Sequence, residues 1–219
     1  MADNDKTFQY YSSPLGRLLV ENMFKRDEYT PEKGEPKKQY QAVMAFDYDD
    51  DYRAFEEKIL DAVADEWGEA AVAEAEKTLD GGTGKGTVQF GIFDGDFYAD
   101  KYDWPEKTAA AMAGKAVVVF TTIFNAEGQK DEGGIEVVGP DLQVIDFANR
   151  KSVFSGCYGK VSYSLDPYLV NGQKGVKLYL NAFQLSPKEG EKLYEPRKGS
   201  SVFDAEAAPK GGRRSRRAG

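Results

Sequence analysis

The chain has 219 residues, of which 41% are hydrophobic and 13% aromatic, and it carries a net charge of -8, one cysteine and no histidine. This length and composition suit one domain with a substantial core and exclude wholesale disorder. The lack of histidine excludes His-based general-base catalysis and His-containing zinc sites, and one cysteine excludes a thiolate cluster. A lone thiol agrees with a reducing cytoplasm, and no apolar run approaches the about 18 residues of a membrane span.

The charge is unevenly distributed along the chain. Between Asp47 and Glu106 there are eighteen acidic and five basic residues, whereas from residue 154 onward there are twelve basic and six acidic residues. Binding depends on where positive groups cluster and not on the total charge. The acidic total is therefore compatible with a nucleic-acid partner.

The first third of the chain predicts two strands ahead of a helix. Residues 1–14 are polar and are expected to form a flexible N terminus, followed by one domain over residues 15–199. Strands are predicted over 17–24 and 39–47, because apolar and polar residues alternate there, with a Lys-bearing loop punctuated by Pro and Gly between them. The acidic run 47–51 then offers N-caps to a helix.

A helical insertion is predicted at about residues 50–80. Apolar residues recur every fourth position, which places them on one helical stripe, at Phe55, Ile59, Val63 and Trp67. Gly68 is a potential break in this helix. The stripe is expected to pack on the rest of the domain while the Asp and Glu residues face water.

Short strands with turns between them dominate the middle of the chain. A Gly-rich loop over 80–87 precedes a short strand over 88–93, and the aromatic segment 97–104 is interpreted as a loop or edge strand. The β-branched, almost wholly apolar run 115–124 predicts a central strand. A further strand is predicted over 135–138. This pattern is typical of a barrel or sandwich.

Two alternating runs over residues 154–184 predict a pair of antiparallel strands, separated by Pro167 and the turn 171–175. Alternation places Cys157, Val161, Leu178 and Leu180 on an apolar face, which also assigns them to the core together with Phe120. The opposite face carries aromatic residues interleaved with lysines. Such a face suits single-stranded nucleic acid, but aromatic and Lys side chains also cover ordinary solvated sheets.

The run 154–162 reads Phe-Ser-Gly-Cys-Tyr-Gly-Lys-Val-Ser and is followed by the turn Asn-Gly-Gln-Lys-Gly at 171–175. Both resemble the signature of a family of bacteriophage single-stranded DNA-binding proteins with an OB-type barrel. The resemblance implies a mainly β fold, an OB-fold-like antiparallel barrel with extra strands and the helical insertion. It also implies sequence-independent binding of single-stranded DNA in phage replication or recombination, in the cytoplasm of the infected host and without a cofactor.

The outward face supplies the candidate binding residues. Base stacking is assigned to Tyr158 and Tyr179, and phosphate contacts to Lys160, Lys174 and Lys177. Phe183, which alternation places on the same face, is a further candidate. Others are Tyr168, Tyr98, Tyr102 and Trp104, whose orientation the sequence does not fix, and Lys115, because a strand end of a barrel often borders the groove. Single-stranded DNA is the expected partner, with replication or recombination proteins as further partners. The basic tail over 200–219 is expected to be disordered, and its arginines either contact phosphates or only solubilise the chain.

Two other functions remain open at this point. A metal-dependent nuclease would use loop carboxylates to hold magnesium, for instance Asp94, Asp96, Asp100 and Asp103. An interaction protein of the virion or replisome would bind protein partners and no DNA. The loop carboxylates are also ordinary turn formers.

Overall fold

The structure is a computed structural model that describes residues 9–29, 36–130 and 133–193. The predicted basic tail over 200–219 and residues 1–8 of the predicted flexible N terminus lie outside this part. The strands are β1 (Tyr11–Ser12), β2 (Gly16–Tyr29), β3 (Lys37–Phe46), β4 (Val88–Phe90), β5 (Ile92–Asp94), β6 (Ala116–Thr122), β7 (Glu136–Val138), β8 (Tyr158–Val170) and β9 (Gln173–Leu185). The helices are α1 (Asp50–Trp67), α2 (Glu69–Asp80), α3 (Gly95–Tyr102) and α4 (Glu106–Met112). None of the helices in the described ranges combines the length and apolarity needed to cross a membrane.

Five strands close into a barrel in the order β2, β3, β6, β9, β8 and back to β2. Strands β8 and β9 form a long antiparallel hairpin, whereas β6 and β9 are parallel and meet at a single pair, Thr121 with Tyr179. The barrel closes where Gly16 and Arg17 of β2 pair with β8. The mainly β, OB-like barrel predicted from the sequence is thus confirmed, with a mixed sheet because β9 runs parallel to β6.

The extra strands are added around the barrel. Where β6 and β9 diverge, β5 pairs with β6 and β4 pairs with β9, and Gly91 separates the two short strands. Strand β7 pairs with the far end of β9. Within the predicted flexible N terminus, β1 pairs with β8, and the ring of Tyr11 lies 5.5 Å from that of Tyr163.

The helical insertion packs on the barrel as predicted. Helix α1 begins after Asp49, whose carboxylate accepts a hydrogen bond from the backbone N–H of Tyr52 at 2.9 Å. Gly68, at φ 77°, separates α1 from α2. The apolar stripe of α1 joins the barrel core through Phe55, Ile59 and Val63, while Trp67 is half-buried. The predicted core residues Phe120, Val161, Leu178 and Leu180, and Cys157, are all buried there.

The prediction that Phe183 faces outward is wrong. Its side chain is fully buried, at 0% exposure. Ser162 pairs with Ala182 but the next residue, Tyr163, pairs with Leu180, so Asn181 is an extra residue in β9. Such a bulge reverses the alternation beyond it. Phe183 therefore enters the core, where it packs over Gly159: a Cβ at that glycine would lie 2.2 Å from the Phe183 ring.

The interpretation of residues 97–104 as a loop or edge strand is also wrong. Residues 95–102 form α3, since the Asp94 carboxylate accepts hydrogen bonds from the backbone N–H groups of Asp96 and Phe97, each at 3.0 Å. Such a cap satisfies donors that the first helical turn leaves free. Helices α3 and α4 cover part of the outer face of β2, β3 and β6 through a second core cluster that includes Tyr98, Met112 and Val117.

Removing the cap of α3 is expected to lower the free energy of unfolding. The Asp94→Ala variant loses both capping hydrogen bonds and should lose about 1 kcal/mol of stability, measured by urea denaturation. Asp94→Asn is the matched control, because an Asn side chain accepts the same hydrogen bonds and should retain most of that stability. Equal stability of Asp94→Ala and the unchanged protein would contradict this role of the cap.

Candidate nucleic-acid interface

A broad groove crosses the outer face of β3, β6 and β9, and its cavity volume is about 1310 Å³. The strands contribute Gln39 and Gln41, Val119 and Thr121, and Lys177 with its neighbours. Helix α3 lines it with Tyr98, Lys101 and Tyr102, and the β2–β3 hairpin with Arg26, Lys37 and Lys38. In OB folds this strand face, between the loops that connect barrel strands one to two and four to five, binds oligonucleotides and oligosaccharides.

Positive charge dominates this groove. Of the described residues that line it, seven are Lys or Arg and none is Asp or Glu. They are Arg26, Lys37, Lys38, Lys85, Lys101, Lys130 and Lys177. Because these cations come from separate loops and strands and converge on one concave surface, their fields add there. The groove is therefore built to attract a polyanion.

Lys177 is a partly buried member of this group of cations. Burial lowers the pKa of its ammonium group below the usual lysine value, while Asp166 raises it and the nearby Lys37 lowers it. A partly desolvated cation is stabilised by an anion placed against it. Lys177 is thus a favourable position for a phosphate group.

Aromatic rings lie among the cations. The side chain of Tyr102 is 49% exposed. Its ring lies 4.7 Å from the ring of the buried Tyr98, and the Lys101 ammonium lies 4.9 Å from the Tyr102 ring. Tyr168 lies across the β8–β9 hairpin from Gly175, where a Cβ would come within 2.3 Å of the tyrosine ring. Two tyrosines are thereby held at the groove where a base could stack on them.

Some of the binding residues predicted from the sequence line the groove, and the others lie elsewhere. Those that line the groove are Tyr98, Tyr102, Tyr168 and Lys177. Of these, Tyr98 is only 7% exposed and mainly supports Tyr102. Tyr179 lines an adjacent cavity, and the Lys177 ammonium lies 4.4 Å from its ring.

Tyr158 and Lys160 lie apart from the groove. Lys160 pairs with Gln184, which is about 20 Å along β9 from Lys177 at the usual rise of a strand. The ring of Tyr158 is half-buried beside Lys188, whose ammonium lies 3.8 Å from it. The most specific sequence motif thus lies at the opposite end of the hairpin from the groove.

The other predicted residues do not line the groove. Lys115 forms an ion pair with Asp47 at the far end of β6, and the Lys174 ammonium lies 5.5 Å from the Trp67 ring on the side of α1. Trp104 stacks on Tyr98 at 6.1 Å in the second core cluster. Phe183 is in the barrel core, as described above.

Sequence reasoning missed most of the groove cations as site residues. Arg26, Lys37 and Lys38 belong to the β2–β3 hairpin, and Lys85 and Lys130 to loops far away in sequence. One signal was present: the Lys-bearing loop between the first two barrel strands is a binding loop of OB folds. No local sequence pattern connects Lys85 or Lys130 with this loop.

Two of the four carboxylates considered for a nuclease lie at the ends of α3. Asp94 caps α3, and Asp103 ends that helix in a left-handed conformation with φ 48°. Among the described residues, no three His, Cys, Asp or Glu side chains are grouped so that they could hold a metal ion.

The closed barrel and the groove on its strand face define an OB-like protein whose groove is basic and lined in part by aromatic residues. A family model described as "Enterobacter phage Enc34, ssDNA-binding protein" matches residues 17–211. The chain therefore belongs to this family, which confirms the resemblance seen in the sequence. No curated protein sequence matches the chain.

Solved structures of phage proteins share this fold. The single-stranded DNA-binding protein from bacteriophage Enc34 in complex with ssDNA aligns with a TM-score of 0.54 at 15% identity, over 86% of this chain and 94% of that one. Gp2.5, a single-stranded DNA-binding protein encoded by bacteriophage T7, aligns with a TM-score of 0.54 at 16% identity, over 95% of this chain and 100% of that one. At such identities the likeness establishes the common fold.

Proposed function

We propose that the protein binds single-stranded DNA without strong sequence preference, in phage replication or recombination in the cytoplasm of the infected host. The observation that carries the proposal is the groove, whose described lining has seven cations and no carboxylate. Its place on the barrel is where OB folds bind oligonucleotides. Membership of a family described as ssDNA-binding supports the same conclusion.

The mechanism is equilibrium binding without bond chemistry. Phosphates pair with the groove lysines, among them the partly desolvated Lys177, and bases stack on Tyr102 and Tyr168. A duplex keeps its bases stacked on each other, so only a single strand can use both kinds of contact. Family membership favours this function over a nuclease and over an interaction protein that binds no DNA.

Titration of the protein into fluorescent oligo-dT and a length-matched duplex tests the proposal. The single strand is expected to bind at least about tenfold more tightly, because each stacked base contributes about 1 to 3 kcal/mol. If about five lysines pair with phosphates, log K should fall with log salt at a slope of roughly -3.5. The same titration with magnesium should leave the strand uncut. Equal affinity for the duplex, or a salt-independent affinity, would reject this function.

A further inference from the structure

A second cavity lies beside the groove, over the outer face of β8 and β9. Its volume is about 830 Å³, within the about 300–1,000 Å³ of typical small-ligand sites. Residues that line it include Tyr10, Phe124, Ser162, Ser164, Tyr179 and Asn181. None of its described lining residues is Lys or Arg, and Glu136 adds a negative charge. This cavity is therefore unsuited to a phosphate.

Two contacts join the cavity to the groove. The ammonium of Lys177 lies 4.4 Å from the Tyr179 ring, and that of Lys130 lies 5.7 Å from the Phe124 ring. In both pairs the lysine lines the groove and the ring lines the cavity. Lysines at the edge of the groove thus lie next to aromatic rings that line the cavity.

The cavity contains polar side chains of the kind that pair with nucleobase edges. Asn181 is the extra residue of the β9 bulge, and bulges re-aim side chains beside functional sites. Its amide donates a hydrogen bond to the Ser164 hydroxyl at 3.3 Å, which orients the side chain. Its amide oxygen and the Ser162 hydroxyl form no hydrogen bond with the described residues. Asn and Ser side chains commonly pair with base edges.

We propose that this cavity binds one nucleobase of the strand that occupies the groove. The strand's phosphates stay on Lys177 and Lys130, while the base turns past Tyr179 and its edge pairs with Asn181 and Ser162. The proposal rests on the proposed function and adds to it a site that distinguishes bases. A modest preference among bases then accompanies the otherwise sequence-independent binding.

Oligonucleotides of one length with different bases test the cavity. Affinities of the unchanged protein and of Asn181→Ala are measured for oligo-dT, oligo-dC, oligo-dA and a base-free deoxyribose-phosphate chain. Asn181→Ala should weaken binding of at least one homopolymer by about three- to tenfold, as expected when one hydrogen bond is removed. Its affinity for the base-free chain and the salt slope should not change. Ser162→Ala should also weaken the binding of the same homopolymer.

Gln143→Ala is the matched control, because this exposed amide lines neither the groove nor the cavity. It should match the unchanged protein on every strand. Affinities of Asn181→Ala that equal those of the unchanged protein, or fall equally on all four strands, would overturn the cavity proposal alone. Failure of the unchanged protein to bind any strand would overturn the proposed function as well.

Discussion

Replacing four exposed lysines of the groove with glutamine is expected to weaken oligo-dT binding roughly a hundredfold at about 0.1 M salt. The four are Lys37, Lys38, Lys85 and Lys130. Each exposed ion pair contributes roughly threefold to affinity, and the four contributions multiply because the side chains contact different phosphates. The slope of log K against log salt should become shallower by roughly 3, since each phosphate left without its lysine reduces the slope by about 0.7. Fluorescence titrations at several salt concentrations measure both quantities.

The control carries the same change of net charge elsewhere on the surface. Four exposed lysines outside both cavities serve this purpose, Lys58, Lys77, Lys107 and Lys151. Because attraction by distant charges is screened within about 10 Å, their replacement should reduce affinity far less. An equal reduction of affinity in the two variants would show that total charge, and not the groove, governs binding.

The Tyr102→Ala variant is expected to lose one stacking contact with a base. The ring is half-exposed at the groove and rests against Tyr98. Loss of one stacked base should cost about 1 to 3 kcal/mol, or roughly five- to 150-fold in affinity for oligo-dT. Because no phosphate-binding group is removed, the salt slope should stay unchanged. Unfolding should also change little, since alanine favours the helix and the tyrosine is not in the core.

Two further variants test whether the loss of affinity comes from the aromatic ring and from its position in the groove. Tyr102→Phe keeps the aromatic face and should bind nearly as well as the unchanged protein. Tyr158→Ala removes a half-buried ring that lies outside the groove beside Lys188. It should leave affinity nearly unchanged. A larger decrease of affinity for Tyr158→Ala than for Tyr102→Ala would move the binding surface to the other end of the β8–β9 hairpin.

Local patterns in the sequence determined most of the secondary structure and the family. Alternation over 154–184 gives β8 and β9, and the four-residue spacing from Phe55 to Val63 gives the buried face of α1. Both follow from geometry that repeats every few residues, so a short window contains the whole signal. The run over 154–162, on which the resemblance rests, is also a short window, and the family model that matches residues 17–211 agrees with it.

Alternation failed where the backbone departs from regular geometry. The bulge at Asn181 depends on how β9 pairs with β8, and nothing in the sequence of β9 alone marks it. It turned the predicted outward Phe183 into a core residue. Likewise, the aromatic residues over 97–104 favour strands by their intrinsic preference, and their spacing gives only a weak helical pattern. In the structure they lie in or next to α3, which the Asp94 carboxylate caps.

The sequence by itself thus determined a barrel of alternating strands with a helical insertion, the membership of a phage family and the identity of Lys177, Tyr102 and Tyr168 as candidates. Only the tertiary structure decided which cations line the same groove. Lys37, Lys85 and Lys130 are far apart in the chain and meet because β3, β6 and β9 are neighbours in the closed barrel. Binding energy depends on distances in space, and a pattern along the chain carries those distances only within one helix or strand.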